Sequence, residues 1–183
     1  MSMPAHPYPA DVLARAARIR LIAFDVDGTL TDGRLLYGND GELAKHFHVQ
    51  DGMGITLLRH AGIATALITA RNSPLVARRG EELRIEHVHI GQRRKLETLR
   101  AIAAGIGIGM EAVAFMGDDL PDLASLRGCG LAIVPANAHP WVRDAAHWTT
   151  PRAGGEGAAR DACDLLLHAQ GRVAAILEHG EHP

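Results

Sequence analysis

The amino-acid sequence predicts an α/β protein built on a doubly wound, Rossmann-like parallel sheet, with a β-hairpin flap and no large cap domain. Short apolar runs of strand length alternate along the chain with amphipathic helical segments, the pattern of a sheet covered on both faces. Two of those runs end abruptly in carboxylates: Leu21-Ile22-Ala23-Phe24 leads into Asp25-Val26-Asp27-Gly28-Thr29, and Ala112 to Met116 leads into Gly117-Asp118-Asp119. Open α/β sheets bind ligands at the carboxyl ends of their strands, so the fold class also predicts where chemistry belongs.

With 183 residues and 47% hydrophobic content, the chain suits one globular domain with a full core. A formal charge of −2 with interspersed signs argues against nucleic acid or an anionic membrane as the main partner. No apolar segment approaches the ~20 residues of a membrane span. Pro4, His6, Pro7 and Pro9 interrupt the N-terminus where a signal peptide would need an apolar core, so a cytoplasmic protein is expected. Residues 1–18 read as a disordered lead-in and short helix, 19–171 as the main domain, and 172–183 as a C-terminal tail.

The elements follow in order. Asp11 to Arg18 is helix-like, and Ile19 to Phe24 is the first strand, a buried one by its unbroken apolar character. Leu35 to Tyr37 and Leu43 to Val49 flank Gly38-Asn39-Asp40-Gly41, which predicts a hairpin standing over the end of that strand as a flap. Asp51-Gly52 is expected to cap a helix through about His60, and Ile63 to Ile68 is the second sheet strand. Ser73-Pro74 reads as an N-cap and first helical residue, with helix through Leu83. His87 to Ile90 is a short strand, Gly91 to Lys95 opens a helix ending near Gly105, and Ala112 to Met116 is the fourth strand. Gly130 to Val134 is a last short strand, His139-Pro140 opens a helical turn, and His147 to Thr150 is extended. Pro151 to Gly157 reads as a mobile glycine-rich segment before an amphipathic helix, Ala158 to His168.

Asp25 and Asp27 would share a strand face, where two carboxylates repel unless something compensates. Magnesium, a hard cation that takes one or two carboxylates and leaves room for a phosphate oxygen, is the expected compensator. Within that reading the first carboxylate can attack phosphorus and the second can protonate the leaving alcohol and then deprotonate water. A bland alternative is Asp27-Gly28 as an ordinary turn. The later cluster Asp118, Asp119 and Asp122 decides against it, because more negative charge at the same sheet edge would be costly without a cation. Thr69 and Arg71 fall between a strand end and a helix N-terminus, a favoured place for an anion, and Lys95 can neutralise one. Arg93 and Arg94 are expected to face solvent. Cys129 and Cys163 lack metal-type spacing and read as core residues. His46/His48 and His87/His89 could each pair on a strand face, but without a nearby third ligand ordinary strand surface is favoured over zinc.

Asp25-Val26-Asp27-Gly28-Thr29, Thr69, Lys95 and Gly117-Asp118-Asp119 with Asp122 resemble the four motifs of the haloacid dehalogenase superfamily, in order. The flap, Phe47 to Ile55, Ala138-His139-Pro140, Cys163 to Leu167 and Ala169-Gln170-Gly171 narrow the resemblance to the 3-deoxy-D-manno-octulosonate 8-phosphate phosphatases, over about Ile19 to Gly171. The resemblance implies a magnesium-dependent sugar-acid phosphatase of lipopolysaccharide precursor synthesis. It implies Asp25 as nucleophile and ligand, Asp27 as general acid/base that also ligates through its carbonyl, and Asp118 as the further ligand. Thr69 and Lys95 would hold the phosphoryl group, with Asp119 and Asp122 in support. Thr29, Arg71 and Arg78 are candidate substrate contacts, the arginines for the sugar carboxylate. A homotetramer is implied, in which the Arg152 to Gly157 segment could reach a neighbouring site. Ala70, Gln50 and Glu156 depart from the residues usual in the family, which bears on the sugar more than on the chemistry. The same chemistry on a nine-carbon nonulosonate 9-phosphate stays open. A phosphorylated receiver domain is the rival of another class, disfavoured because Asp27 sits two residues after Asp25 and the second acid cluster returns late.

Overall fold

A computed structural model describes residues 8–179. Residues 1–7, where most of the expected lead-in falls, and 180–183 at the end of the expected tail lie outside the described residues. The chain forms α1 (Ala10–Ala16), β1 (Leu21–Phe24), β2 (Leu36–Gly38), β3 (Gly41–Ala44), α2 (Val49–His60), β4 (Ala64–Ile68), α3 (Pro74–Glu82) and β5 (His87–His89). It continues with α4 (Lys95–Ile106), β6 (Val113–Met116), α5 (Leu123–Gly128), β7 (Leu131–Val134), α6 (Pro140–Arg143), β8 (Trp148–Thr149), α7 (Ala158–Ala169) and α8 (Val173–His179). Single 3-10 turns cover Met110–Ala112 and Leu120–Asp122.

Six strands pair in the order β5-β4-β1-β6-β7-β8, every pair parallel. Numbered among themselves in chain order they run 3-2-1-4-5-6, the Rossmann order, whereas receiver domains use the flavodoxin-like 2-1-3-4-5. The topology therefore removes the receiver alternative. The direction of winding reverses between β1 and β6, so Asp25 and Asp118 emerge side by side at the switch point.

Strand alternation sorts the core into two layers. Ile22, Phe24, Leu67, Ala114, Met116 and Ile133 pack with Val12, Ile55, Leu58, Leu165 and Leu166 of α1, α2 and α7. Leu21, Ala23, Ala66, Ile68, Phe115 and Val134 pack on the other side with Leu99, Leu126 and Val142 of α4, α5 and α6. At about 1.5–3 kcal/mol per fully buried large aliphatic or aromatic side chain, these layers hold the sheet edge rigid under the site.

Several local expectations are corrected. The hairpin is shorter than its hydrophobic pattern suggested: β2 and β3 pair antiparallel around Asn39-Asp40, and Val49, expected to end a strand, is the first residue of α2. His48 caps α2, its Nδ1 accepting from the Gln50 amide at 3.3 Å. Asp51, expected as that cap, is buried in the first turn and instead accepts from the Arg160 amide at 2.7 Å, capping α7 from across the core. The N-cap of α7 is a glycine with no side chain to offer, so the cap comes from the helix packed against it. Ser73 begins α3, yet its hydroxyl makes no cap bond and donates to Glu42 on the flap. Part of the expected tail, Val173–His179, is helical and packs Val173 and Ile176 on the α1/α2/α7 layer.

The Pro151 to Gly157 segment is held within its own chain. The Gly155 amide donates to the Thr29 carbonyl at 3.2 Å and the Gly154 amide to Asn137 Oδ1 at 2.9 Å. A Cβ on Gly154 would lie 1.8 Å from the Gly28 carbonyl oxygen, so only glycine allows this backbone to lie against the acidic loop. Arg152 pairs with Asp161 and donates to Gln50 Oε1 at 2.8 Å, giving that departure from the family pattern a neutral partner.

No helix among the described residues is long and apolar enough to cross a membrane. Both cysteines are free, and burial pushes the Cys129 thiol up to about 11. His87 and His89 stack at 6.4 Å on edge strand β5, with no third ligand grouped near them among the described residues.

Candidate active site

Strand β1 ends at Phe24, one residue before the acids. The Asp25 amide still continues the ladder, donating to the Met116 carbonyl at 2.8 Å. The chain then turns, with the amides of Leu30 and Thr31 returning to the Val26 carbonyl at 2.9 and 3.1 Å. The expectation that Asp25 and Asp27 share a strand face is therefore corrected: the turn sends the two carboxylates to different cations. Lys95 Nζ lies 2.7 Å from Asp25 Oδ1, and Lys45 of the flap pairs with Asp27 Oδ1.

Lys95 opens α4 and is 3% exposed, so its ammonium needs buried partners to offset its lost hydration. It has two, since it also donates to Asp122 Oδ1 at 2.6 Å. Burial alone would lower it, but the charges of Asp25 and Asp122 outweigh that and hold Lys95 above its ordinary value. Asp122 Oδ2 accepts from the amides of Asp118 and Asp119 at 3.0 and 3.3 Å, and Asp119 Oδ1 accepts from the Leu120 amide at 2.7 Å. These acids lock the turn that carries Asp118. Gly117 permits the fold-back, since a Cβ there would lie 2.4 Å from Asp122 Cγ.

Asp25, Asp118 and Asp122 each offer an oxygen within 4.8 Å of the others, with one ammonium among three carboxylates. Desolvation, followed by the charge of Asp122, pushes Asp25 well above its usual range; desolvation, then Asp122 and Asp119, pushes Asp118 up to about 6. A buried, hard-oxygen, charge-excess cluster of this kind fits a divalent cation such as magnesium. The Asp27 carboxylate is not part of it. Gly28, at φ +91°, seats Asp118 against the acidic loop, where a Cβ would come within 2.1 Å of Asp118 Oδ2.

Thr69 is buried at the end of β4, its hydroxyl accepting from the Arg71 amide at 3.3 Å. Arg71 Nη2 donates to the Tyr37 hydroxyl at 2.7 Å, and Nε lies 3.8 Å from Asp27 Oδ2, which places the guanidinium at the flap side of the mouth. Two expected substrate contacts stand elsewhere. Thr29 is fully buried and its hydroxyl donates to Asp118 Oδ1 at 3.4 Å, which makes it a support for that acid. Arg78 lies on the outer face of α3, 78% exposed and paired with Glu82.

Two residues of the network escaped the sequence reading. Glu42 lies within β3 and Lys45 just after it, three residues on, 2.8 Å from each other, with the Lys45 side chain only 1% exposed. Burial alone would lower Lys45, but its bonds to Asp27 and Glu42 raise it; burial alone would raise Glu42, but its bonds to Lys45 and Ser73 lower it. The (i, i+3) acid-base pair was visible in sequence, but its long-range partner Asp27 was not.

The sheet order, the acid cluster at the switch point and the buried lysine define a phosphatase of the haloacid dehalogenase type. The family model for haloacid dehalogenase-like hydrolases matches residues 85–160. The 3-deoxy-D-manno-octulosonate 8-phosphate phosphatase of Escherichia coli K12 is 44% identical over 167 residues, covering 91% of this chain and 89% of that protein. The corresponding enzyme of Yersinia pestis is 42% identical over the same length and shares. A crystal structure of such a phosphatase from Moraxella catarrhalis, in complex with magnesium, phosphate and KDO, superposes with TM-score 0.92 at 38% identity, covering 95% of this chain and 100% of that one. A hypothetical protein from Xanthomonas campestris superposes with TM-score 0.94 at 49% identity over 100% of both chains. The chain belongs to the 3-deoxy-D-manno-octulosonate 8-phosphate phosphatase family, and it is a phosphoric monoester hydrolase.

Proposed function

We propose that this enzyme hydrolyses 3-deoxy-D-manno-octulosonate 8-phosphate to the free sugar acid and phosphate, in the cytoplasm, as a step of lipopolysaccharide precursor synthesis. The observation that carries the reading is the buried Asp25–Lys95–Asp122 chain beside Asp118 at the switch point, in a chain 44% identical to phosphatases of that name. Asp25 is the nucleophile, attacking phosphorus to give an aspartyl-phosphate. Asp27 gives a proton to the departing sugar oxygen and then takes one from the water that cleaves the intermediate. Lys95 and the Thr69 hydroxyl hold the transferring group, and Lys95 neutralises charge that builds on it.

Asp25, Asp118 and the Asp27 carbonyl would hold magnesium, with Asp119 and Asp122 fixing the turn that carries Asp118. When bound, the ion supplies Lewis-acid charge neutralisation at the phosphate. Arg71, on the flap side of the mouth, is the residue for the sugar carboxylate. A homotetramer is part of the same proposal, because Leu36, Leu43 and Val49 are 50%, 63% and 82% exposed on and beside the flap. Light scattering in solution checks it.

Phosphate release from the eight-carbon substrate and from a nine-carbon nonulosonate 9-phosphate, measured side by side with magnesium, tests the substrate. A higher kcat/KM for the eight-carbon ester is expected. The reverse ranking overturns the assignment.

A further inference from the structure

The flap does more than stand over the site, because it places a cation on one oxygen of Asp27. Lys45 follows β3 directly, in a hairpin whose β2 residues are all exposed, yet its own side chain is almost fully buried. Burying an ammonium is costly unless carboxylates compensate, and here two do, Asp27 Oδ1 and Glu42. Glu42 is anchored in turn: it accepts from the Ser73 hydroxyl at the start of α3 and lies 3.9 Å from Arg71 Nη2. Lys45 is thus aimed at Asp27 by a second acid that is itself tied to the loop carrying Thr69 and Arg71. The other Asp27 oxygen, Oδ2, is buried without a hydrogen-bond partner, 3.8 Å from the equally unpartnered Arg71 Nε. The two oxygens of one carboxylate are therefore in unlike surroundings.

We propose that Lys45 is a positioning residue for the reaction: it holds Asp27 Oδ1 as an acceptor, so that the transferable proton resides on Oδ2, and Glu42 holds Lys45 in place. This rests on the reading of Asp27 as general acid/base. As an Asp25 oxygen bonds to phosphorus and the ester P–O bond breaks, the Oδ2 proton passes to the departing alkoxide oxygen and the alcohol leaves; Oδ2 then takes a proton from the water whose oxygen bonds to phosphorus as the Asp25 O–P bond breaks, releasing phosphate and the free carboxylate. An amide or hydroxyl donor could mark Oδ1 equally well, but a flap-borne lysine makes the orientation of the acid depend on the flap lying over the site.

The test uses the full-length magnesium-loaded enzyme and compares Lys45→Met, Asp27→Asn, the double variant, the rescue variant Lys45→Arg, and Glu42→Gln, which weakens the hold on Lys45. Each is assayed on 3-deoxy-D-manno-octulosonate 8-phosphate and on p-nitrophenyl phosphate, whose phenolate leaves without needing a proton, and thermal melts check folding. Since general acid catalysis contributes about 10²–10⁴-fold, Lys45→Met should lose about 10–100-fold in kcat on the sugar phosphate and about threefold or less on the aryl ester. The double variant should be no slower than Asp27→Asn alone, because the lysine acts through that acid. Lys45→Arg should recover part of the loss, and Glu42→Gln should show the same ester-dependent pattern more weakly. Equal losses on both esters, a rise in KM alone, or losses that multiply with Asp27→Asn would overturn the proposal and make Lys45 a structural or substrate-binding residue. If Asp27→Asn itself shows no dependence on the leaving group, the acid/base reading fails as well; if it does and Lys45→Met does not, only the role of Lys45 fails.

Discussion

Replacing Lys95 with methionine separates the energetic role of this lysine from its chemical one. Methionine approximates the stem of lysine and removes the ammonium, so Asp25 and Asp122, 2.7 and 2.6 Å from it, are left facing each other in a site where Lys95 is 3% exposed. Removing one partner of a buried pair costs about 3–5 kcal/mol, which for a domain of this size is a fall of roughly 6–20 °C in Tm. The loss has a sign in pH. Asp25 already holds its proton above the usual carboxylate range because of burial, and losing the lysine raises it further. The folded variant then binds protons that the unfolded chain has released, so its stability falls as pH rises above about 4 and is recovered by acidification. Thermal and urea melts of the metal-free variant and parent at about pH 5 and about pH 7.5 measure this, and the gap should be wider at the higher pH. On the catalytic side, loss of a group that neutralises developing charge should lower kcat by about 10²–10³-fold. A variant that melts with its parent at both pH values would show that the Asp–Lys–Asp chain does not organise the site.

Three further outcomes are expected. Asp25→Asn should abolish turnover and phosphate labelling of the protein while leaving Tm unchanged or higher, since the buried acid is destabilising when ionised; magnesium-dependent turnover in that variant would remove Asp25 as nucleophile. Magnesium should raise Tm more at about pH 7.5 than at about pH 5, because Asp118, pushed up to about 6, must lose its proton to act as a ligand; equal shifts would exclude the Asp118 carboxylate from the site. Asp51→Ala removes the cross-core cap on α7 and should cost about 1–2 kcal/mol by urea unfolding, with kcat little changed; an unaltered unfolding midpoint would show that the Arg160 amide finds another acceptor.

Much of this architecture was legible along the chain, for reasons that are local. Leu21 to Phe24 and Val113 to Met116 are too continuously apolar for a one-sided sheet, and their two-residue alternation divides them between helix layers as expected. The acids after those strands were readable because the carboxyl edge of a parallel sheet is determined by chain direction alone. The boundaries were less legible. Val49 alternates with Phe47 like a strand residue, yet His48 can cap a helix there, and the packing of α2 on α7 favours the helix.

What the sequence by itself determined is the sheet, its winding and the four groups Asp25, Thr69, Lys95 and Asp118 that meet at its edge, because strand direction and crossover handedness leave one place for them. Only the tertiary structure decided which cation each acid faces. The turn after Phe24 divides Asp25 from Asp27, the flap brings Lys45 to the second of them, and Thr29, Arg78 and the Gly154-Gly155 backbone take roles or positions that depend on packing between distant segments. Pairings of that kind are set by three-dimensional proximity and by the cost of burying an unpaired charge, neither of which has a period or spacing along the chain.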